Sequence, residues 1–277
     1  MSVTYGSRRG HLLSPTVRAE GDDPGCVRIP LARWAPRTGQ DFGAKRTREV
    51  TMIQKRSGRC EPRSVSDASR PIKLPKPALQ PSGSLARALQ LRRTTREISG
   101  KKLPLQTLSN LFWAACGVNR RKGPFGMPGR TAASASNSQE IDVYVALEEG
   151  TYLYDPFHHR LVPVVAGDLR RLAIGWEQAH VGAEAPVRLI YVADIDKLVH
   201  TSGYQEPGLR DPDIQRSYYY VDTGLIAANV YLFAASVGLA AWFHNCDKSE
   251  LSMKLNLHKD QRVLFGQTVG YPIRVQS

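Results

Sequence analysis

Only four of the 277 residues are cysteine (Cys26, Cys60, Cys116 and Cys246), and no two stand at CxxC spacing. That spacing gives no disulfide framework and no usual structural zinc site, and it makes a reduced, cytoplasmic setting the expectation. Cys116 and Cys246 lie in apolar surroundings and read as free, buried thiols. The seven histidines form no HxxxH or HExxH pattern, and the adjacent His158 and His159 do not share a face, so no metal is expected. GxSxG, GxGxxG and the P-loop are missing, which argues against the usual serine hydrolases, Rossmann dinucleotide folds and NTPases. No apolar run follows Arg8-Arg9, so a twin-arginine leader is not read there. One long uncharged run exists, GLIAANVYLFAASVGLAAWF (224–243). It is long enough to span a bilayer, but it is alanine-rich, carries Asn229 and Ser236, and has a helix-stopping Gly238. A buried core helix is expected rather than a membrane span.

Charge is uneven. The net charge is +13, yet residues 1–80 hold 16 Lys/Arg against 7 Asp/Glu, and residues 81–277 hold 22 against 18. Residues 1–70 are rich in Arg, Gly, Ser, Pro and Asp without a sustained period, and read as a disordered basic tail. A start near Met52 is the alternative reading of this stretch. Nucleic-acid binding through the tail is a rival function, with its charge outside the folded part.

From residue 71 the pattern changes. PIKLPKPALQPSG (71–83) is a Pro-rich, extended lead-in to a domain over 71–277. Ser84 is placed to N-cap a short helix with Leu85, Ala88 and Leu89 on one face. Pro104 opens a second helix whose stripe is Leu105, Leu108, Leu111, Phe112 and Ala115, ending at Gly117. Strands are expected at 141–147, 151–156, 160–165, 187–194 and 262–270. A helix is expected from Gly167, and a central one over 222–237 capped by Asp222. Helices and strands alternate without repeats, so the class is mixed α and β.

Four short stretches can carry chemistry. RRTTRE (92–97) puts Arg92, Arg93, Thr94 and Arg96 at a helix exit. Guanidinium forks and a hydroxyl can grip a phosphate there. A solvated basic helix end is the competing reading, because helix C-termini favour cations anyway. SASNSQ (134–139) offers small side chains and the amides of Asn137 and Gln139, which can read a heterocycle edge; a plain connector is the alternative. GLAAWFHNCD (238–247) packs Trp242, Phe243, His244 and Asn245 into a turn. His244 has no carboxylate partner nearby in sequence, and a lone histidine is more often structural. TVGYPIR (268–274) ends a strand in a Gly-Tyr-Pro turn with Arg274 beyond it.

In this order, with LPLQTLSNLFWAACG between the first two and a YLYDP turn after the second, the stretches resemble the nitroreductase superfamily of FMN-dependent oxidoreductases. The match covers roughly residues 71–277. The LPKP lead-in, TYLYDPFHHRLVPVVAGD and YYYVDTGLIAANVYLFAASVGL are similar to the SagB-type, azoline-oxidase-like dehydrogenase branch. The resemblance implies an α+β, nitroreductase-like fold: a central mixed, mainly antiparallel sheet flanked by helices, in a homodimer with FMN at the subunit interface. It implies that Arg92 and Thr94, with Arg93 beside them, hold the FMN phosphate and ribityl end. Arg96 would lie near the pyrimidine edge and Arg274 would help at the phosphate. Ser134, Asn137 and Gln139 match a P-S-x-x-N-x-Q-P motif that contacts the ring through Asn137; Ala133 and Glu140 stand where that motif has proline. The backbone near His244 and Asn245 would face flavin N5. The implied chemistry is hydride transfer through N5 in a ping-pong scheme, with no catalytic side chain named. The reductant would be NAD(P)H, or a C–H or N–H bond of a small-molecule or peptide substrate. Phe125, Trp242 and Phe243 are candidates for stacking on that substrate. A catalytically silent flavin-binding partner in a peptide-modifying complex is the rival reading.

Overall fold

The structure, a computed structural model, describes residues 70–79, 84–203 and 207–273. Met52, all of the expected tail except Arg70, and Arg274 lie outside these residues. In chain order the strands are β1 (Ile72–Lys73), β2 (Val118–Arg120), β3 (Gly129–Arg130), β4 (Ile141–Ala146), β5 (Gly150–Asp155), β6 (Arg160–Ala166), β7 (Val187–Asp194), β8 (Ala240–His244) and β9 (Gln261–Gly270). The α-helices are α1 (Leu85–Leu91), α2 (Leu105–Cys116), α3 (Ile195–Val199), α4 (Pro212–Ser236) and α5 (Lys248–Lys254).

Seven strands make one sheet in the order β1-β6-β5-β4-β7-β9-β8, and β2 pairs β3 in a small ribbon. Every pairing in the large sheet is antiparallel, so the parallel component of the expected mixed sheet is not found among the described residues. The organising strand is β7. Its apolar run is buried on both faces between β4 and β9. Leu189 and Tyr191 join the core shared with α2 and α4, while Ile190 and Val192 join the one shared with α5. Arg188 is the exception in this run. It is fully buried, and its guanidinium donates to Arg170 O (2.6 Å) and Gly182 O (2.8 Å). Those two bonds fasten the 168–185 connection to the sheet. Burial, with Arg170 nearby, lowers its pKa only to about 10, so it stays charged.

Helix α2 follows from its stripe. Leu108, Leu111, Phe112 and Ala115 recur at helical spacing and are all buried. Each large one contributes roughly 2–3 kcal/mol by area removed from water. The lead-in lies against this helix: Ser109 Oγ donates to Pro75 O (2.6 Å). Cys116 and Cys246 are free and buried, and burial raises their thiols to about 11 and about 12.

Four expectations need correction. Ser84 caps α1 by accepting from Arg87 N–H, but only Ala88 of that helix is buried; Leu85 and Leu89 are exposed. The central helix starts at Pro212, capped by Asp211, and Asp222 is an interior residue. Proline at the first helical position is the stronger start signal. Residues 167–175 form turns rather than a helix, because left-handed Gly167 breaks the chain after β6. Trp242 to His244 belong to strand β8, not to a turn. The uncharged run is therefore divided between α4 and β8, and no described helix is long and apolar enough to cross a membrane.

Gly266 marks the tightest approach between β9 and its surroundings. A methyl group there would sit 2.3 Å from Ala173 O and 2.7 Å from the His244 ring. Gly266→Ala is expected to cost roughly 2–3 kcal/mol by overpacking. Urea denaturation midpoints would read this directly; an unchanged midpoint would mean that the β8–β9 backbone can yield.

Candidate functional site

Helix α4 ends at Ser236, and Gly238, with φ +73°, reverses the chain. Leu239 N–H donates to Ala234 O (2.8 Å), and β8 begins at once. β8 is the outer strand of the sheet, so one side of its backbone lacks a strand partner. Thr95 N–H supplies a bond to Ala241 O (3.0 Å). Ser99 N–H donates to Tyr271 O (2.8 Å) and Ile273 N–H to Glu97 O (2.9 Å), which lays the Gly-Tyr-Pro segment alongside. The Tyr231 hydroxyl accepts from Phe243 N–H (2.8 Å) and shares a hydrogen bond with Thr94 Oγ1 (3.2 Å). Three of the four stretches thus meet at one place.

Between them lies a cavity of about 280 Å³. Arg92, Arg93, Thr95 and Tyr231 give it polar lining, and Ala234, Ala235, Leu239, Ala240 and Ala241 supply apolar wall. Thr94 and Arg96 are adjacent but do not line it. The Arg92 guanidinium lies 5.7 Å over the Tyr231 ring, and that of Arg96 lies 5.4 Å over Trp242. Among the described residues none of Arg92, Arg93 and Arg96 pairs with a carboxylate. Arg274 falls just beyond the described residues.

His244 is 5% exposed. Asn245 O can only accept, so His244 Nδ1–H donates to it (2.8 Å) and Nε2 accepts from the Thr268 hydroxyl (2.8 Å). Asn245 O also takes Gly175 N–H (2.9 Å). Both ring nitrogens are engaged within the protein, and neither His244 nor Asn245 lines the first cavity. Trp242 is buried, and Phe243 packs on Tyr191 and Phe265; both belong to the interior.

The second stretch lies apart. Ser134 Oγ accepts from Gln139 N–H (3.0 Å). Asn137 Nδ2 donates to Pro124 O (3.1 Å) and Met127 O (3.3 Å), and its Oδ1 accepts from Gln139 Nε2 (3.0 Å). The Asn137 amide therefore holds its own loop to residues 124–128. Ser136, Asn137 and Gln139 have φ of 47°, 57° and 55°. Side chains of this type enter that region at a cost of about 1 kcal/mol or more each, asparagine most readily. Asn137 and Gln139 line a second cavity, of about 700 Å³, with the exposed Phe125, Arg130 and Tyr154. No residue of 133–140 lines the first cavity. The arginine segment and the amide loop of this chain line different spaces. Thr95 and Tyr231 carried no distinguishing signal in the sequence; only the fold brings them to the cavity.

The profile of the Nitroreductase family matches residues 89–271. The chain belongs to the nitroreductase family. It is 32% identical over 155 residues to a Methanocaldococcus jannaschii protein that bears the name nitroreductase MJ1384, a match covering 53% of this chain and 71% of that one. A solved structure from Ralstonia eutropha JMP134, described as a nitroreductase, is 35% identical with a TM-score of 0.63, covering 76% of this chain and 93% of its own. The Escherichia coli microcin synthetase McbBCD complex contains a chain that is 18% identical, with a TM-score of 0.51 over 82% of this chain and 79% of that one, and shares the fold. Membership of this family makes the protein an oxidoreductase.

Burial pushes the His244 imidazole from 6.5 down to about 4. The fold holds the neutral ring, so this group's stability contribution is complete above pH 6.5 and is lost as pH falls through about 4. The loss amounts to roughly 3 kcal/mol. His244→Gln, which cannot titrate, is expected to flatten the acid limb of a stability–pH curve in that window. An acid limb as steep as the wild type's would assign it to another group.

Proposed function

We propose that this nitroreductase-family oxidoreductase binds FMN in the cavity between the arginine segment and β8, with the phosphate at Arg92 and Arg93. The observation that carries this reading is a pair of guanidiniums, with no ion-pair partner among the described residues, lining a cavity whose remaining lining is largely apolar. Such a site suits a ligand with an anionic end and a flat, largely apolar end. Bound there, FMN supplies two-electron hydride transfer at N5, in alternating half-reactions with a reductant and an oxidant. Arg92 and Arg93 neutralise the phosphate. Tyr231 and Thr95 fix the spacing between the arginine segment and β8. His244, kept neutral, holds Asn245 in place. The narrower SagB-type placement rests on the segments that form the β5–β6 hairpin and α4, and it makes a peptide or small molecule the reductant in place of NAD(P)H.

A homodimer completes the proposal. α4 exposes Ile214, Val221 and Leu225 toward solvent, with Gly224 and Ala228 exposed in the same region. α1 exposes Leu85 and Leu89. Two apolar helix surfaces of this kind call for a cover, and a second copy of this chain supplies one. In that assembly the arginine segment of one protomer and the amide loop of the other serve one flavin.

Two tests follow. The purified protein is expected to be yellow, and stripped protein to rebind FMN with the Arg92→Ala/Arg93→Ala variant weakened roughly 1000-fold, at about 2 kcal/mol for the charge-assisted bond lost at each arginine. A colourless protein that ignores added FMN would sink the cofactor assignment. Bleaching by NADPH without oxygen would mark a nicotinamide-fed reductase, and a persistent yellow colour the SagB-type or the catalytically silent flavin-binding alternative. Sedimentation velocity tests the assembly: the wild type should run as a dimer and Val221→Glu as a monomer, whereas a wild-type monomer would end the shared-flavin reading.

A further inference from the structure

Two carboxyl groups meet in the interior, and the chemistry proposed above uses neither. Glu140, 0% exposed, stands immediately before β4, and Asp222, 4% exposed, stands midway along α4. Among the described residues no Lys, Arg or His forms an ion pair with either. Their hydrogen bonds are divided. Ser138 Oγ–H donates to Glu140 Oε2 (2.5 Å), and Ala135 N–H donates to Asp222 Oδ2 (2.8 Å). Glu140 Oε1 is enclosed, and no N–H or hydroxyl donor reaches it. The carboxyl groups of Glu140 and Asp222 are neighbours, joined to the two ends of the same short turn through Ser138 and Ala135, and the Asp222 charge acts on Glu140. Two ionised carboxylates in contact there would repel, and Oε1 would remain a buried acceptor without a donor. A proton on the Glu140 carboxyl makes it a donor and removes the repulsion between the two groups.

The same pair grips the strained loop at both ends. Ala135 begins it and bonds to Asp222; Ser138, near its end, bonds to Glu140. Between these anchors Ser136 and Asn137 hold left-handed backbone, and Gln139 follows. Backbone of this kind persists only where its surroundings enforce it. Helix α4 is the body to which the loop is fastened.

We propose that Glu140 and Asp222 share one proton, and that this proton latches the Ser134–Gln139 loop onto α4. They are positioning residues. The latch does not depend on the flavin reading; where that reading holds, the loop it fixes is the one that carries Asn137.

The pH consequence has a definite sign. Burial first, and the Asp222 charge second, raise Glu140 to about 8; burial raises Asp222 as well. The loop faces the pair with the Ser138 hydroxyl and the Ala135 N–H, α4 with Asp222 itself, and the end of β7 with the Asp194 backbone N–H, which bonds to Glu140 O (2.8 Å). Because the closed form holds its proton more tightly than the open form, closure is strongest below the ordinary carboxyl range. It then weakens about tenfold per pH unit up to about 8, and levels off beyond.

Infrared difference spectroscopy on the full chain tests the shared proton. The C=O stretch of a protonated carboxylic acid is expected at pH 6.5, lost with a midpoint near pH 8 and absent from Glu140→Gln. Hydrogen exchange of the 134–140 peptide, corrected for intrinsic rates, tests the latch. Wild-type protection should fall about tenfold per unit between pH 5 and 8. Glu140→Gln, whose amide donates permanently toward Asp222, should keep its protection flat. No protonated acid at pH 6.5 would overturn the proposal, as would the same exchange profile in both proteins. If Glu140→Gln fails to fold, the wild-type infrared titration still decides. None of these signals involves flavin, so a colourless protein leaves this test intact.

Discussion

The bond from Thr95 N–H to Ala241 O decides where the site lies. β8 is the outer strand, and an outer strand presents unpaired backbone groups that attract another chain unless something covers them. Here the cover is the segment after α1, and that segment is the one carrying the arginines. Satisfying an edge-strand backbone and placing a cationic wall are therefore one structural act. The Gly-Tyr-Pro turn joins through the bonds to residues 97–99, and Tyr231 sets the depth by bonding to Thr94 on one side and the Phe243 backbone on the other.

Two buried titratable groups pull the stability of this frame in opposite directions. His244 is held neutral, so acid works against it. Burial and the Asp222 charge raise Glu140, so rising pH works against it. Each is fixed by hydrogen bonds to a particular backbone feature: Asn245 O for the first, and the strained loop through Ser138 for the second. Apolar side chains of similar size would avoid both desolvation costs but could not specify those backbone positions. Positional definition at β8 and at the loop is what the two groups add.

Legibility in the sequence followed period and charge. α2 was readable from its helical stripe, and β4, β7 and β9 from short β-branched, apolar runs bounded by turn signals. The start of α4 was not, since Asp211 and Asp222 are both plausible caps and only Pro212 separates them. β8 was missed because a short aromatic run after glycine has no period of its own; pairing with β9 makes it a strand. The arginine segment stood out as charge, and the wall facing it followed from Gly238. The partners at that wall, Thr95 and Tyr231, are common residue types that only tertiary contact distinguishes. The Glu140–Asp222 contact was invisible for the same reason. Its residues are far apart in the chain, and Glu140 read only as a departure from a proline.

α4 explains why so much of the site answers to one element. Its inner face joins the main core through Ile226, Val230 and Phe233. Midway it carries Asp222, which anchors the amide loop; farther on it carries Tyr231, which anchors the arginine segment; and it ends at the glycine that launches β8. Its outer face is apolar as well, which is why the sequence raised the question of a membrane span. Past its polar first turns, the exposed apolar stretch around Val221 and Leu225 calls for a cover. In the proposed dimer the outer cover is the same helix of a second copy, so the pressure that hides Val221 and Leu225 would also hold both anchors of each protomer in register. Dimerisation and site geometry would then be one equilibrium, and a change that loosens the α4 contact should be felt at the loop and at the arginines together.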